Sequence, residues 1–345
     1  MQLGDRAWTV AVVGAAGMVG GEMMKTLEMR GFPVAELRPL DVAEQEGTEV
    51  TFAGRTLRCR TATAASFEGV EIALFSAGGE ASLALAPLAV AKGAVVIDNS
   101  SAWRMHPDCP LVVPEVNPHD LRWHKGIIAN PNCSTIQMVV VLKPLHDRAR
   151  ITRVVVSTYQ AVSGAGKAGA LELRQQAGEL LETGRVAPPQ VFAHQIAFNV
   201  IPHIDVFEED GYTKEEWKMV RETAKIMGDD SIKVTATTVR VPVFVGHAES
   251  VNVETERALT AADARALLAQ APGVVVIDDP ASRRYPMPVM AAATDEVFVG
   301  RIRQDRTVAH GLNLWIVADN VRKGAALNAV QIAERLVADG LVRVP

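Results

Sequence analysis

Residues 129–135 read A-N-P-N-C-S-T and run directly into the apolar stretch I-Q-M-V-V-V-L. Cys133, one of three cysteines in the chain, therefore falls between a proline turn and the expected first turn of a helix. A helix start offers N–H groups with no intrahelical partner and the positive end of the aligned peptide dipoles, and both favour thiolate over thiol. Such a thiolate is a nucleophile able to carry an acyl group. Position alone leaves a plainer reading open, because most free cysteines are small buried hydrophobes.

A second stretch, V-V-G-A-A-G-M-V-G-G, follows an apolar strand and opens a helix, with Gly14, Gly17 and Gly20 in a G-x-x-G-x-x-G pattern. Glycine lets the backbone approach a pyrophosphate, and the helix start supplies donors to it. A lone glycine pattern would equally serve a tight turn. At the first strand of an alternating βα half it points to a dinucleotide. S-A-G-G at 76–79 ends another apolar strand and is expected on the same carboxyl edge of the sheet, or else as a plain turn.

The elements that must position these residues alternate over the first 130 positions. W-T-V-A-V-V-G leads into a helix to about Arg30, then come V-A-E-L-R-P-L, E-I-A-L-F-S-A, a helix over about Glu80–Lys92, and A-V-V-I-D-N. That alternation predicts a parallel sheet with crossover helices. From residue 151 long β-rich runs dominate, among them R-V-V-V-S-T-Y-Q-A-V, S-I-K-V-T-A-T-T-V-R-V and L-N-L-W-I-V-A, which predicts a mostly antiparallel sheet with helices on one face. Apolar residues at helical spacing predict a last helix over Val321–Asp339, packing back on the first domain. The expected fold class is thus an α/β Rossmann-like N-terminal domain plus an α+β domain. The domain ranges read 1–132, joined by 319–345, and 133–318.

Length and composition narrow the classes of function. A chain of 345 residues exceeds one ordinary core, and 48% hydrophobic with 22% charged residues describes a globular protein. A net charge of −5 argues against a nucleic-acid or anionic-membrane surface. Cys59, Cys109 and Cys133 lie far apart, so neither a disulfide framework nor a metal site is expected, and a reducing cytoplasm fits. The run T-V-A-V-V after Asp5 and Arg6 is too short for an export signal or a spanning helix.

Longer motifs in a fixed order go further. N-P-N-C-S-T at 130–135, S-S-A-W-R-M at 100–105, V-P-E-V-N at 113–117, Y-Q-A-V-S-G-A-G at 159–166, V-R-V-P-V-F-V-G-H-A-E-S-V at 239–251 and D-N-V-R-K-G-A-A-L-N at 319–328 together resemble aspartate-semialdehyde dehydrogenase of the bacterial type. The resemblance covers essentially the whole chain. It implies reversible NADPH-dependent conversion of aspartyl 4-phosphate to aspartate 4-semialdehyde and inorganic phosphate, through a thioester on Cys133. That reaction belongs to lysine, threonine, methionine and isoleucine biosynthesis.

The same resemblance implies His247 as the acid/base histidine, Arg240 for the substrate α-carboxylate, Gln160 to orient the substrate, and Arg104, Asn132 and Lys218 for phosphate. Thr213 followed by Glu216 spells a capping box, so Glu216 is read as structural. Glu215 lies three before Lys218, on the same helical face, and is therefore matched to the family's ammonium-binding glutamate. Cofactor contacts are implied at Gly14, Ala16, Gly17, Met18, Val19, Ser76, Gly78, Ser163, Gly164 and Asn320. A homodimer across the second domain's sheet is implied as well.

The chain departs from the family at the end of the second strand. Where A-S-A-R-S-A-G is common, it carries D-V-A-E-Q-E-G, putting Glu44 and Gln45 in place of the residues that hold the NADP 2′-phosphate. Asp41, Glu44 and Glu46 would repel that phosphate, while Arg38 remains a possible partner for it. Weakened NADP preference with use of NAD is expected. Ala16 stands where a threonine is usual. Two alternatives remain. An N-acetyl-glutamyl-phosphate reductase would have no use for an ammonium-binding Glu215, and a silent paralogue serving as an interaction protein would be expected to have lost Cys133 or His247. Glyceraldehyde-3-phosphate dehydrogenase shares the chemistry, but its S-C-T-T-N motif is absent.

Overall fold

A computed structural model describes residue 4 and residues 6–343; Asp5 and the outermost residues of the expected domain ranges lie outside the described residues. The chain divides into two compact units, Met1–Asn132 with Ala325–Pro345 and Cys133–Gly324.

In the first unit, β1 (Trp8–Val13), α1 (Met18–Met29) and β2 (Val34–Asp41) are followed by a hairpin of β3 (Glu49–Phe52) and β4 (Arg55–Arg58), then β5 (Arg60–Thr61), β6 (Ile72–Phe75), α2 (Gly79–Ala91), β7 (Val95–Asp98) and β8 (Ile127–Ala129). Among the described residues the main sheet has the order β5-β2-β1-β6-β7-β8, with every pairing parallel. Its central strands are fully buried runs such as I-A-L-F and V-V-I-D, as parallel strands covered on both faces must be. Burying each such Val, Ile or Leu is worth about 1.5–3 kcal/mol.

The second unit begins with α3 (Cys133–Ala149), whose largely apolar middle, I-Q-M-V-V-V-L, is buried throughout. It continues with β9 (Ile151–Gln160), α4 (Gly166–Thr183), α5 (Lys214–Met227), β10 (Lys233–Arg240), β11 (His247–Thr255), α6 (Ala261–Leu268), β12 (Val274–Val276), the short α7 (Pro288–Ala291), β13 (Val297–Asp305) and β14 (Gly311–Ala318). The sheet order is β10-β9-β11-β14-β13-β12. The sheet is mixed rather than mostly antiparallel: the inner pairings β9–β11, β11–β14 and β13–β14 are antiparallel, but β9–β10 and β12–β13 at the two edges are parallel. Parallel neighbours need crossover connections, and here α4 with α5, and α7, lie on those connections.

The last expected helix is interrupted. Arg322–Ala326 forms a π-helical turn before α8 (Leu327–Ala338). A Cβ on Gly324 would lie 2.9 Å from the Cβ of Cys133, so this turn brings backbone where a side chain would not fit. The second unit accordingly runs to Gly324 rather than to residue 318. Asp319 holds the turn by accepting N–H groups of Val321 and Arg322 on Oδ1 and of Ala293 on Oδ2. Within the first unit, α8 buries Ala329, Val330, Ile332, Ala333 and Leu336 among Val10, Val12, Met23, Leu27 and Ile72, and Glu334 pairs with both Nε and Nη2 of Arg30 at 2.6 and 2.8 Å.

Candidate active site

Cys133 is the first residue of α3 and is partly exposed, whereas Cys59 and Cys109 are buried. Burial pushes the Cys59 thiol up, with Asp41 adding to the shift, so the inert cysteines and the helix-start cysteine separate by environment. Burial holds the Arg240 guanidinium below its ordinary value, opposed by Glu215 and then by Cys133, so the thiol lies within electrostatic reach of that fork.

Gln160 ends β9 and Arg240 ends β10, side by side in parallel register. Both are almost fully buried. Arg240 Nη1 donates to the Ala161 carbonyl at 2.7 Å, and the rest of the guanidinium fork makes no hydrogen bond among the described residues. Gly164 makes room for that fork: a Cβ there would lie 2.5 Å from Arg240 Nη1 and 3.4 Å from Cε1 and Nε2 of His247. A cavity of about 270 Å³ opens beside Arg240, bounded by Phe192, His203 and Asp205.

His247, the first residue of β11, is fully buried, and its Nδ1 accepts the Ala161 N–H at 3.0 Å. In the neutral ring the proton therefore sits on Nε2, which has no partner among the described residues. Burial, reinforced by the Arg240 charge and only partly offset by Glu215, pushes the imidazole down to about 3. Asn320 accepts the Gly246 N–H at 2.9 Å and exchanges hydrogen bonds with Ser163, bracketing His247 from the end of β14 and from the 162–165 turn.

Glu215, in the first turn of α5, accepts from Gln160 Nε2 on one oxygen and from Lys218 Nζ on the other, both at 3.0 Å. The capping box forms as expected, Glu216 accepting the Thr213 N–H and Thr213 accepting the Glu216 N–H. Lys218 also reaches Asp205 at 2.7 Å; burial opposes its charge, but Glu215 and Asp205 prevail and raise its pKa. Asp205 was missed by sequence reading. So was Glu249, fully buried two residues after His247, whose position in the buried phase of E-S-V-N-V was the available signal.

The remaining expected residues belong to the first unit. Arg104 is buried, donating to the carbonyls of Asn130 and Asn99 at 3.0 and 2.9 Å, and Asn132 immediately precedes the cysteine. The glycine loop forms a cradle. A Cβ on Gly14 would lie 2.4 Å from the Ser76 carbonyl oxygen and one on Gly20 would lie 2.1 Å from that of Gly14. Gly17 opens α1 with no side-chain cap, leaving the Met18 and Val19 end of the helix suited to an anion, and Gly78 stands in the same position before α2. This cradle fits a nicotinamide dinucleotide. The Ala16 N–H, however, is taken by Asp41 Oδ2 at 2.9 Å. Arg38 is engaged with Glu36 and with the carbonyls of Ser66 and Glu68. No group of three or more His, Cys, Asp or Glu side chains suited to a metal occurs among the described residues, and no helix there is long and apolar enough to cross a membrane.

Comparison with known proteins agrees with this geometry. Residues 9–124 match the family model described as semialdehyde dehydrogenase, NAD binding domain, and residues 142–323 match semialdehyde dehydrogenase, dimerisation domain. Aspartate-semialdehyde dehydrogenase of Aquifex aeolicus is 58% identical over 97% of this chain and 99% of the relative, and that of Bacillus subtilis 53% identical over 96% and 98%. The crystal structure of aspartate semialdehyde dehydrogenase II from Vibrio cholerae complexed with ASA superposes with a TM-score of 0.94 at 51% identity, covering 97% of this chain and 99% of that one. The chain belongs to the aspartate-semialdehyde dehydrogenase family.

Proposed function

We propose that this enzyme interconverts L-aspartyl 4-phosphate and L-aspartate 4-semialdehyde with inorganic phosphate, through a thioester on Cys133. The observation that carries the reading is the convergence, within one unit, of a helix-start thiol, an Arg240 fork with open donors, a neutral buried His247 and the Gln160–Glu215 pair. The free amino acid is favoured over an N-acetylated one because Glu215 is a buried carboxylate suited to an ammonium.

The Cys133 thiolate, favoured by the helix start and by the Arg240 charge, adds to the acyl carbon, and expulsion of phosphate leaves the thioester. Arg240 takes the α-carboxylate with paired donors. Gln160 and Glu215 orient the amino end. His247 works from Nε2–H: the Ala161 N–H on Nδ1 fixes the tautomer, so the ring donates to the oxyanion formed as the carbonyl becomes tetrahedral. In the biosynthetic direction the oxyanion left once the thioester carbonyl has been reduced collapses, expelling the thiolate and freeing the aldehyde. A bound nicotinamide supplies the hydride in that direction and accepts it in the other. Arg104, Asn132 and Lys218 hold phosphate; Lys218, already balanced by two carboxylates, contributes as a positioned donor more than as surplus charge.

The first unit holds the dinucleotide, at Gly14, Gly17, Met18, Val19, Ser76 and Gly78, with Ser163, Gly164 and Asn320 on the nicotinamide side. The second unit carries the chemistry and the homodimer contact, and the enzyme acts in the cytoplasm. NADP is the family expectation, with NAD use favoured by Glu44 and Gln45. Replacing Cys133 by Ser is expected to abolish phosphate-dependent oxidation of the semialdehyde. Alkylation read by mass spectrometry is expected to modify Cys133 far ahead of Cys59 and Cys109. Slow, equal reaction at all three would support a catalytically silent protein instead.

A further inference from the structure

The bond between Asp41 and the glycine loop says more about the cofactor than the exposed Glu44 does. Asp41 closes β2, at the carboxyl edge where the dinucleotide cradle lies, and it is only 6% exposed. Oδ2 accepts the Ala16 N–H and Oδ1 the Val42 N–H, each at 2.9 Å, while its own carbonyl accepts the Ala62 N–H at 2.8 Å. With both oxygens bonded to backbone N–H groups and its own backbone tied to Ala62, the carboxylate is fixed in place. A carboxylate has about four acceptor positions. Two are filled here, and the other two make no hydrogen bond among the described residues.

An acid at the end of the second strand, some twenty residues beyond the glycine pattern, is where ribose hydroxyls are received in dinucleotide folds. We infer that Asp41 accepts the adenosine ribose 2′- and 3′-hydroxyls and makes NAD(H), not NADP(H), the preferred cofactor. A diol supplies two donors to two unused acceptor positions. A 2′-phosphate would set a dianion against a fixed, poorly hydrated anion, and Arg38, the cation on the same strand, is engaged with Glu36 and the Glu68 carbonyl. Glu44 sits on an exposed turn, Ala43–Gln45, where solvent and salt screen it. Asp41 therefore dominates the choice. The inference rests on the reading of the glycine loop as the dinucleotide site.

The test is equilibrium binding of NAD+ and NADP+ to the full-length protein by calorimetry, on wild type, Asp41→Ala, Asp41→Asn and Glu44→Gln, with thermal melts to confirm folding. Wild type is expected to bind NAD+ at least about tenfold more tightly than NADP+, the loss of a charge-assisted hydrogen bond being worth roughly ten- to a hundredfold. Asp41→Ala should weaken NAD+ and tighten NADP+, Asp41→Asn should move both the same way by less, and Glu44→Gln should change the ratio by less than about threefold. A wild type that prefers NADP+, or Asp41 variants that weaken both dinucleotides equally, would overturn the inference while leaving the dinucleotide site standing. Failure of the wild type to bind either would overturn the site itself.

Discussion

His247 accepts the Ala161 N–H on Nδ1 at 3.0 Å, and this one bond decides what the imidazole can do. With Nδ1 occupied as an acceptor, a neutral ring carries Nε2–H as a donor and has no lone pair there with which to take a proton. In the proposed reaction the thiolate then relies on the start of α3 and on Arg240, and the histidine serves the oxyanion.

A ring held down at about 3 is neutral throughout the working range, so the pH–rate profile should lack an inflection near 6.5 that His247→Gln removes. His247→Gln, which keeps an N–H donor, should retain more activity than His247→Ala, whose kcat should fall about 10²–10³-fold. Stability carries the same signature. Below pH 6.5 the unfolded chain binds a proton that the folded chain refuses until about pH 3, so His247 costs stability as pH falls through that window. Urea midpoints at pH 7 and pH 5 should drop further for wild type than for His247→Gln; parallel drops would show that the ring is protonated when folded.

Gly164 separates a functional glycine from a structural one. An added Cβ would meet the tip of Arg240, which can swing aside, and make an ordinary contact with the His247 ring, so Gly164→Ala should lower Tm by little beyond the displaced Arg240–Ala161 hydrogen bond. Moving the fork off the Ala161 carbonyl should raise KM for the semialdehyde by about ten- to a hundredfold, the cost of a displacement on the order of 1 Å. Gly169→Ala is the control. Its Cβ would lie 2.6 Å from the Val162 carbonyl oxygen and 3.0 Å from Phe192, which nothing nearby can relieve, and it should lower Tm instead. Kinetics and melts of the two variants side by side check the contrast; equal Tm losses would refute it.

The sequence made the thiol, the glycine cradle and the capping box at Thr213 legible because each is a local pattern, with its cause within a few residues. The long strands β9, β11, β13 and β14 were equally readable from their β-branched runs. Short pieces such as β5, β8 and β12 were not, since two or three residues carry no period and are strands only because a neighbour pairs with them. The parallel edges of the second sheet escaped for a related reason: direction is set by what the connections do in space. The π turn at Arg322–Ala326 follows from the approach of Gly324 to Cys133, residues far apart in the chain, and the pairing of Lys218 with Asp205 bridges two loosely related stretches. His247 was named through its motif, but its tautomer needed the backbone of Ala161.

Glu249 gives the remaining prediction. It lies fully buried on β11 near Gln137 of α3, and neither side chain makes a well-formed hydrogen bond among the described residues. Burial raises the carboxyl well above its ordinary value of 4.5, and the nearby Gln137 amide only partly opposes that shift. The unfolded chain ionises near pH 4.5 and the folded chain only at higher pH, so this group costs stability as pH rises above that value. Glu249→Gln preserves shape and neutrality without titrating. The variant should gain on wild type as pH rises, its urea midpoint standing further above the wild-type midpoint at pH 8 than at pH 5. A gap for Glu249→Gln that is the same at both pH values would mean that the carboxyl is ionised in the folded state, and would require a cation or water beside it.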